Sequence, residues 1–158
     1  MKKVLSLFIV LSLLASCSDD VRFNTRSVQG VKDGVFWKSS DCRATLGSGN
    51  VLTIEAVTQY DKVTLKTTAT DVAIYPLGTI DANFANYSYS IAGQEFKYAT
   101  GMNVGDGLIE ITEFDIINKT VSGKFWFSSQ ILISNPLMSD RVSFQEGVFY
   151  RVPITTSL

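Results

Sequence analysis

The chain contains no histidine and only two cysteines, Cys17 and Cys42. The absence of histidine excludes Ser-His-Asp and Cys-His nucleophilic catalysis and removes the most common partner of cysteine in zinc sites. No run of basic residues is present, which argues against nucleic acid as a partner. We therefore expect no catalytic residue, no cofactor and no metal, and we predict that the protein is not an enzyme.

Long apolar runs are also absent, apart from one near the N-terminus. Lys2 and Lys3 precede an apolar stretch at residues 4–14 that carries no charge. A helix needs about 20 apolar residues to cross a membrane, and this stretch is too short. The pattern is typical of a secretory signal peptide, which we assign to residues 1–16 and expect to be removed.

A cysteine stands where the apolar stretch ends. The sequence Leu14-Ala15-Ser16-Cys17 resembles a bacterial lipobox, in which the cysteine is diacylated, becomes the new N-terminus and gains a third chain. Two or three acyl chains anchor a protein stably, whereas one binds reversibly. We predict that Cys17 carries palmitate-type lipid and holds the protein at the outer membrane, on its periplasmic or its surface-exposed face.

A polar tether follows the cysteine. Ser18-Asp19-Asp20 resembles the acidic signal of surface-exposed lipoproteins of the Bacteroidota, although a polar linker has the same composition. We assign residues 17–28 to the lipidated cysteine and its tether, and residues 29–158 to a single domain. Removal of the signal takes away two of the 14 basic residues and none of the 15 acidic ones, which leaves 12 against 15 and a net charge near −3.

Short alternating strands separated by turn signals fill the rest of the chain. This pattern predicts an all-β domain, either an antiparallel β-sandwich or a meandering barrel. Residues 70–75 are predicted to form one such strand, which Pro76 is expected to end because proline cannot donate to a ladder. Cys42 lies in an alternating segment and is expected to be a small buried apolar residue.

Residues 87–98 predict a hairpin with a two-residue turn at Ala92 and Gly93. In that register aromatic residues pair on one face and polar residues on the other. The face could pack on the core or could form a platform for a sugar ring. We expect it to be mostly buried, with the two outer tyrosine hydroxyls in water. The four rings, our candidate ligand-binding residues, are Tyr87, Tyr89, Phe96 and Tyr98.

A second hairpin is predicted between residues 108 and 128, with its turn at Asn118 and Lys119. This register pairs Phe114 with Gly123, so that the glycine leaves room for the ring. It also predicts a cross-strand ion pair between Glu113 and Lys124.

Three stretches of the last third carry a resemblance to a known family. They are Gly107-Leu108-Ile109-Glu110-Ile111-Thr112-Glu113-Phe114-Asp115, Asn118-Lys119-Thr120-Val121-Ser122-Gly123-Lys124-Phe125-Trp126-Phe127 and Gly147-Val148-Phe149. With a looser likeness across residues 31–154, they resemble an uncharacterised family of Bacteroidota lipoproteins, in which an Asn-Lys-Thr turn precedes a Ser-Gly-x-Phe strand and a final Gly-x-Phe strand. The resemblance implies an all-β lipoprotein of unknown function and supplies no catalytic residues.

These observations favour a non-enzymatic binding or structural module at the cell surface, whose partner besides the membrane is a glycan or a surface protein complex. A glycan-active hydrolase using paired carboxylates is the first alternative, with Glu110, Glu113 and Asp115 as the nearest candidates. A carrier of small apolar ligands is the second, if the sheet encloses a hollow interior. A filled interior favours the binding module, a lined cavity the carrier, and two convergent buried carboxylates the hydrolase.

Overall fold

The computed structural model describes residues 25–156. The predicted signal peptide at residues 1–16 and the predicted lipidation site Cys17 lie outside these residues. Within the described range no helix is both long and apolar enough to span a membrane. The elements are β1 (Ser27–Lys32), β2 (Val35–Lys38), β3 (Asp41–Leu46), a 3-10 turn (Ser48–Asn50), β4 (Leu52–Val57), β5 (Asp61–Thr67), β6 (Ile74–Leu77), β7 (Phe84–Ile91), β8 (Gln94–Ala99), β9 (Asp106–Asp115), β10 (Thr120–Ile131) and β11 (Arg141–Thr156).

The eleven strands form one hydrogen-bonded sheet that closes on itself. Seven of them follow one another around a ring, in the order β3, β4, β5, β7, β8, β10 and β11. Two short pairings complete the ring: β8 meets β10 at Tyr98 and Ala99, and residues 154–156 of β11 run parallel to β3. The all-β prediction is therefore confirmed, and the closed ring corresponds to the barrel alternative.

Two pairs of strands extend the sheet outside the ring. β1 pairs with the same edge of β11 as β3 does, and β2 pairs with the outer edge of β1. β10 lies along the opposite edge of β11. β9 pairs with β10, and β6 pairs with the other edge of β9. Pro76 lies within β6 and does not end a strand as predicted. Proline fits there because β6 is an edge strand. A backbone N–H that would point away from the sheet has no strand to donate to, so its absence costs no hydrogen bond.

The folded part of the chain begins earlier than predicted. β1 starts at Ser27, and Val28 is fully buried, so these two residues belong to the domain and not to the tether. Cys42 is buried and forms no disulfide, in agreement with its expected role as a small apolar residue. Burial raises the pKa of its thiol, which makes the reactive thiolate scarce.

Phe144 of β11 lies among the rings that fill the interior. Its ring centroid is 4.9 Å from that of Phe127, 5.5 Å from that of Trp37 and 5.6 Å from that of Tyr87. These three rings come from β10, β2 and β7, so one side chain joins distant parts of the sheet. Aromatic pairs at such separations contribute about 0.5–1.5 kcal/mol beyond the area they bury. Other large side chains with almost no exposure are Tyr98, Phe125, Phe149, Leu52, Ile54, Leu65, Ile109 and Ile111.

Two Gly-x-Phe sequences lie side by side on β10 and β11. In the antiparallel register Gly123 faces Phe149, and Phe125 faces Gly147. A Cβ atom added at Gly123 would lie 2.8 Å from Cε2 of Phe149, and one added at Gly147 would lie 2.7 Å from the Cδ atoms of Phe125. Each phenyl ring therefore occupies space that the opposite glycine leaves free, which offsets the weakness of glycine within a strand.

The predicted register of the second hairpin is wrong. The turn between β9 and β10 has four residues, at positions 116–119, and a register shift follows in β9. Phe114 consequently faces Val121, and Gly123 faces Ile111. The ring that fills the space at Gly123 comes from β11 and not from β9.

Gly123→Ala is expected to destabilise the domain by about 1–3 kcal/mol, because the new methyl group would overlap the Phe149 ring and the Glu110 carbonyl. Gly47→Ala is the matched control, since a Cβ atom there meets only the Val51 carbonyl oxygen, at 3.7 Å. Denaturant unfolding measures both variants. Equal midpoints would contradict the packing of Phe149 over Gly123.

Candidate functional site

The hairpin of β7 and β8 forms in the predicted register. Tyr87 pairs with Tyr98, and Tyr89 pairs with Phe96. Both turn residues have positive φ angles, which is the type I′ geometry favoured in two-residue hairpins because its twist matches that of the strands. The four candidate rings therefore alternate onto one face of the hairpin, as expected.

The rings on this face differ in exposure. Tyr87 and Tyr98 are only 3% and 1% exposed, whereas Tyr89 and Phe96, beside the turn, are half-buried with ring centroids 6.5 Å apart. The Tyr98 hydroxyl donates to the Ser139 carbonyl at 3.0 Å, and the Tyr87 hydroxyl also has protein partners. The expectation that these hydroxyls lie in water is wrong. A ligand on this face could reach Tyr89 and Phe96, and binding there stays a prediction.

Asp61, at the start of β5, gathers polar groups beside the aromatic interior. Its carboxylate accepts hydrogen bonds from the Tyr87 hydroxyl at 2.5 Å, from Trp37 Nε1 at 3.2 Å and from the Thr58 hydroxyl at 3.2 Å. Lys32 Nζ lies 3.7 Å from the same carboxylate and donates to the Tyr87 oxygen at 2.8 Å. The Asp61 and Lys32 side chains are 15% and 26% exposed. The cluster joins β1, β2, β5 and β7.

The contacts of this cluster neutralise a nearly buried charge. Oδ1 of Asp61 faces Tyr87 and Lys32, and Oδ2 faces Trp37 and Thr58. A carboxylate offers about four acceptor positions, and here four donors surround it. Burial, followed by the hydrogen bond to Asp61, raises the pKa of Tyr87 well above its ordinary value of 10.0. We interpret the cluster as structural, because a carboxylate with this many partners has little capacity left for a substrate.

Stability is expected to fall as the pH rises above about 10, and Tyr87→Phe is expected to weaken this dependence. The folded-state pKa of Tyr87 is raised, so its contribution is complete below the unfolded pKa and is lost as the pH rises towards the folded value. Urea unfolding between about pH 9 and 11 should show a slope shallower by up to about 1.4 kcal/mol per pH unit in the variant. Identical slopes would mean that the hydroxyl is not buried against Asp61.

The carboxylates considered for hydrolysis are held by different groups. Glu110 faces Lys124 across the β9–β10 pair, whereas Glu113 faces Ser122 and accepts its hydroxyl at 3.2 Å. The predicted ion pair between Glu113 and Lys124 is therefore wrong, because the register differs. Asp115 caps the adjoining turn. Among residues 25–156, no group of three or more His, Cys, Asp or Glu side chains could hold a metal ion.

A surface groove of about 460 Å³ separates β8 from the connection between β10 and β11. The backbone N–H of Leu132 donates to the Lys97 carbonyl at 2.8 Å and ties the two walls together. Beyond this bond Leu132 and Ile133 are 60% and 83% exposed, and Phe96 stands half-buried on the facing wall. The lining residues are Gln94, Glu95, Phe96, Lys97, Leu132, Ile133, Ser134 and Asn135.

One signal for this groove was present in the sequence but was not interpreted. Residues 125–139 contain no charged side chain, although residues 132–140 connect two strands. Connections run over the surface, so this composition places apolar side chains in water, as the 89% exposure of Leu137 also shows. Contiguous apolar surface of this kind is typical of interaction sites.

Residues 24–153 match the model of a protein family described as a domain of unknown function, DUF6252. The chain belongs to the DUF6252 family. No curated protein and no solved structure gives a significant match. The resemblance to an uncharacterised family is thus confirmed, while the lipoprotein character, the Bacteroidota origin and the hairpin signature stay predictions.

The DUF6252 match covers nearly the whole described fold. It begins three residues before β1 and ends within β11 at Pro153, so it includes the aromatic hairpin, the Asp61 cluster and the groove. Residues 154–156, which complete the ring against β3, fall just beyond it. The candidate site of this chain therefore lies within the residues that match the DUF6252 model.

Proposed function

We propose that this DUF6252 protein is a lipid-anchored, non-enzymatic binding module of the outer membrane. The proposed anchor is Cys17, ten residues before the first residue of β1. A tether of that length keeps the domain close to the lipid, since an extended chain spans at most about 3.3–3.6 Å per residue.

The groove beside β8 is the observation that carries the binding role. Its aliphatic wall would be covered by a partner's apolar side chains, which removes apolar surface from water. β8 pairs with β10 only at Tyr98 and Ala99, so nearer the turn its backbone edge opens towards the groove. An extended segment of a partner protein fits this combination, because main-chain bonds to a strand edge and pockets for alternate side chains act together.

The alternatives have less support. Aromatic rings fill the interior where a carrier would hold its ligand, and the most buried of the carboxylates discussed above, Asp61, is surrounded by donors. A sugar could contact only Tyr89 and Phe96 of the four candidate rings, and these two rings already lie beside each other. A peptide-like ligand in the groove therefore agrees best with the described residues.

Acylation of Cys17 is expected because the cysteine closes a lipobox after a short apolar stretch. Radiolabelled palmitate should enter the wild-type protein and should not enter Cys17→Ala. Ser16→Ala is a suitable control, since a small residue before the cysteine is kept. Equal labelling of the wild type and Cys17→Ala would contradict the anchor.

The double variant Leu132→Ser, Ile133→Ser is expected to weaken peptide binding by about tenfold or more, since apolar residues at the centre of an interface dominate its affinity. The purified lipoprotein would be tested against a display library of random peptides and, in parallel, against a glycan array. The unfolding midpoint should barely change, because both side chains are largely exposed.

Ile116→Ser, Ile117→Ser is the matched control, as it changes two even more exposed aliphatic residues outside the groove and should keep full peptide binding. Peptide binding that survives the Leu132, Ile133 change would contradict the groove. Glycan retention that is lost in Phe96→Ala would favour the sugar-binding alternative instead.

A further inference from the structure

The turn between β9 and β10 exposes two adjacent isoleucines. Ile116 is 77% exposed and Ile117 is 92% exposed, at the tip of a hairpin where polar turn residues are the rule. Each side chain therefore exposes a large apolar area to water at the tip of the β9–β10 hairpin.

Hydrogen bonds hold this turn in a fixed shape. The Asp115 carboxylate accepts the backbone N–H of Asn118 at 2.9 Å and its side-chain amide at 2.7 Å. These bonds lower the pKa of Asp115. On the other side the carbonyl of Lys119 accepts the N–H of Ile154 at 2.8 Å. The two isoleucines are thus presented by a turn that is tied to both its own strand and β11.

The turn lies beside the point where the described chain begins. Arg26, the residue before β1, lines a surface groove of about 350 Å³ together with the base of this turn. Ser27 pairs with Tyr150, so β1 starts next to the part of β11 that supports the turn. The residues around this groove are Arg26, Asp115, Asn118, Thr120, Arg151 and Pro153.

We propose that Ile116 and Ile117 insert into the same lipid surface that holds the Cys17 anchor, as a second contact of the domain with the membrane. This inference rests on the proposed lipid anchor. Cys17 is nine residues from Arg26, so the fully extended tether is no longer than about 30 Å, and it leaves the domain next to the turn. The membrane is therefore the apolar phase nearest to these side chains.

The charges near the turn agree with a lipid headgroup region. Lys119 within the turn and the exposed Arg26 and Arg151 are cationic, and Asp115 and Asp41 are anionic, with Arg26 and Asp41 paired at 3.1 Å. Glu113, two residues before Asp115, is a third anion, so the charges near the turn balance. Insertion should thus depend chiefly on the apolar side chains and only weakly on anionic lipid.

The proposed contact also orients the domain. Ile117 precedes β10 and Ile133 follows it, and a strand of twelve residues is about 35–40 Å long. A membrane at the β9–β10 turn therefore leaves the groove at the opposite end of β10 facing away from the lipid, where a partner can reach it.

The test measures the depth of a fluorescent probe in the mature acylated protein, which begins at Cys17. Ile117→Cys is labelled with an environment-sensitive nitrobenzoxadiazole group, and the protein is reconstituted into phosphatidylethanolamine–phosphatidylglycerol vesicles. Cys42 is buried and should not react. The probe at position 117 is expected to shift to shorter emission wavelengths and to be quenched by lipids brominated on their acyl chains. The matched control is Ile133→Cys, which is 83% exposed and should show neither effect.

A second measurement separates this inference from the anchor itself. The non-acylated mature chain, which begins at residue 17 and carries Cys17→Ala, is mixed with the same vesicles. Ile116→Ser, Ile117→Ser is expected to weaken its binding by about 10- to 100-fold, because two aliphatic side chains leave the apolar phase. If mass spectrometry finds no lipid on Cys17, and the probe at position 117 is still quenched in the Cys17→Ala protein, the anchor is overturned and the membrane contact of the turn is supported. Acylated protein whose probes at 117 and 133 behave alike would overturn the turn as a membrane contact.

Discussion

The packing of aromatic rings around Phe144 is the interaction on which the closed sheet depends. The pairings that complete the ring are short, two residue pairs between β8 and β10 and three between β11 and β3. A backbone hydrogen bond contributes only about 0.5–1.5 kcal/mol net, so these closures are weak by themselves. Phe144 packs from inside against rings of β2, β7 and β10. Because β7 is paired along β8, this packing links the two sides of the short β8–β10 closure.

Tyr87 connects this apolar interior with the polar cluster at Asp61. Its ring lies against Phe144, and its hydroxyl lies between Asp61 and Lys32. A buried charge is costly unless it is paired and hydrogen-bonded, so the cluster is stable only while every partner is in place. The aromatic packing fixes those partners, and the hydrogen bonds in turn fix the rotation of the Tyr87 ring. Packing and electrostatics are therefore coupled through one side chain.

The two hairpins show what the sequence could and could not predict. Ala92 and Gly93 are a strong local signal, and the β7–β8 register follows from them alone. At the second hairpin the predicted turn at Asn118 and Lys119 left Ile116 within a strand, whereas the structure puts it in the turn. The preference for polar residues at turn tips failed here, since Ile116 and Ile117 are both exposed in the turn. Local reasoning does best where local preferences and the fold agree.

The Asp61 cluster and the groove depend on contacts distant in sequence, so neither could be derived from periodicity. Trp37, Asp61 and Tyr87 are brought together only when three separate strands pack. The contacts between the two Gly-x-Phe sequences could be predicted only in part. Their residues stand out in the sequence, but the partner of Gly123 is decided by β11, some 26 residues further along the chain.

The parallel pairing of β11 with β3 has a consequence for the order of events in folding. Thr155 and Ala44, joined across this pairing, are 111 residues apart, so most of the domain must be present before the ring can close. Contacts of such long sequence separation slow folding, because the entropy of a large loop is lost before they form. During synthesis the earlier strands can form hairpins, but the edge of β3 that pairs with β11 stays open until residues 154–156 are present. The sheet therefore stays unclosed for as long as β11 is missing, and the open edge of β3 is then available for edge-to-edge association with another chain.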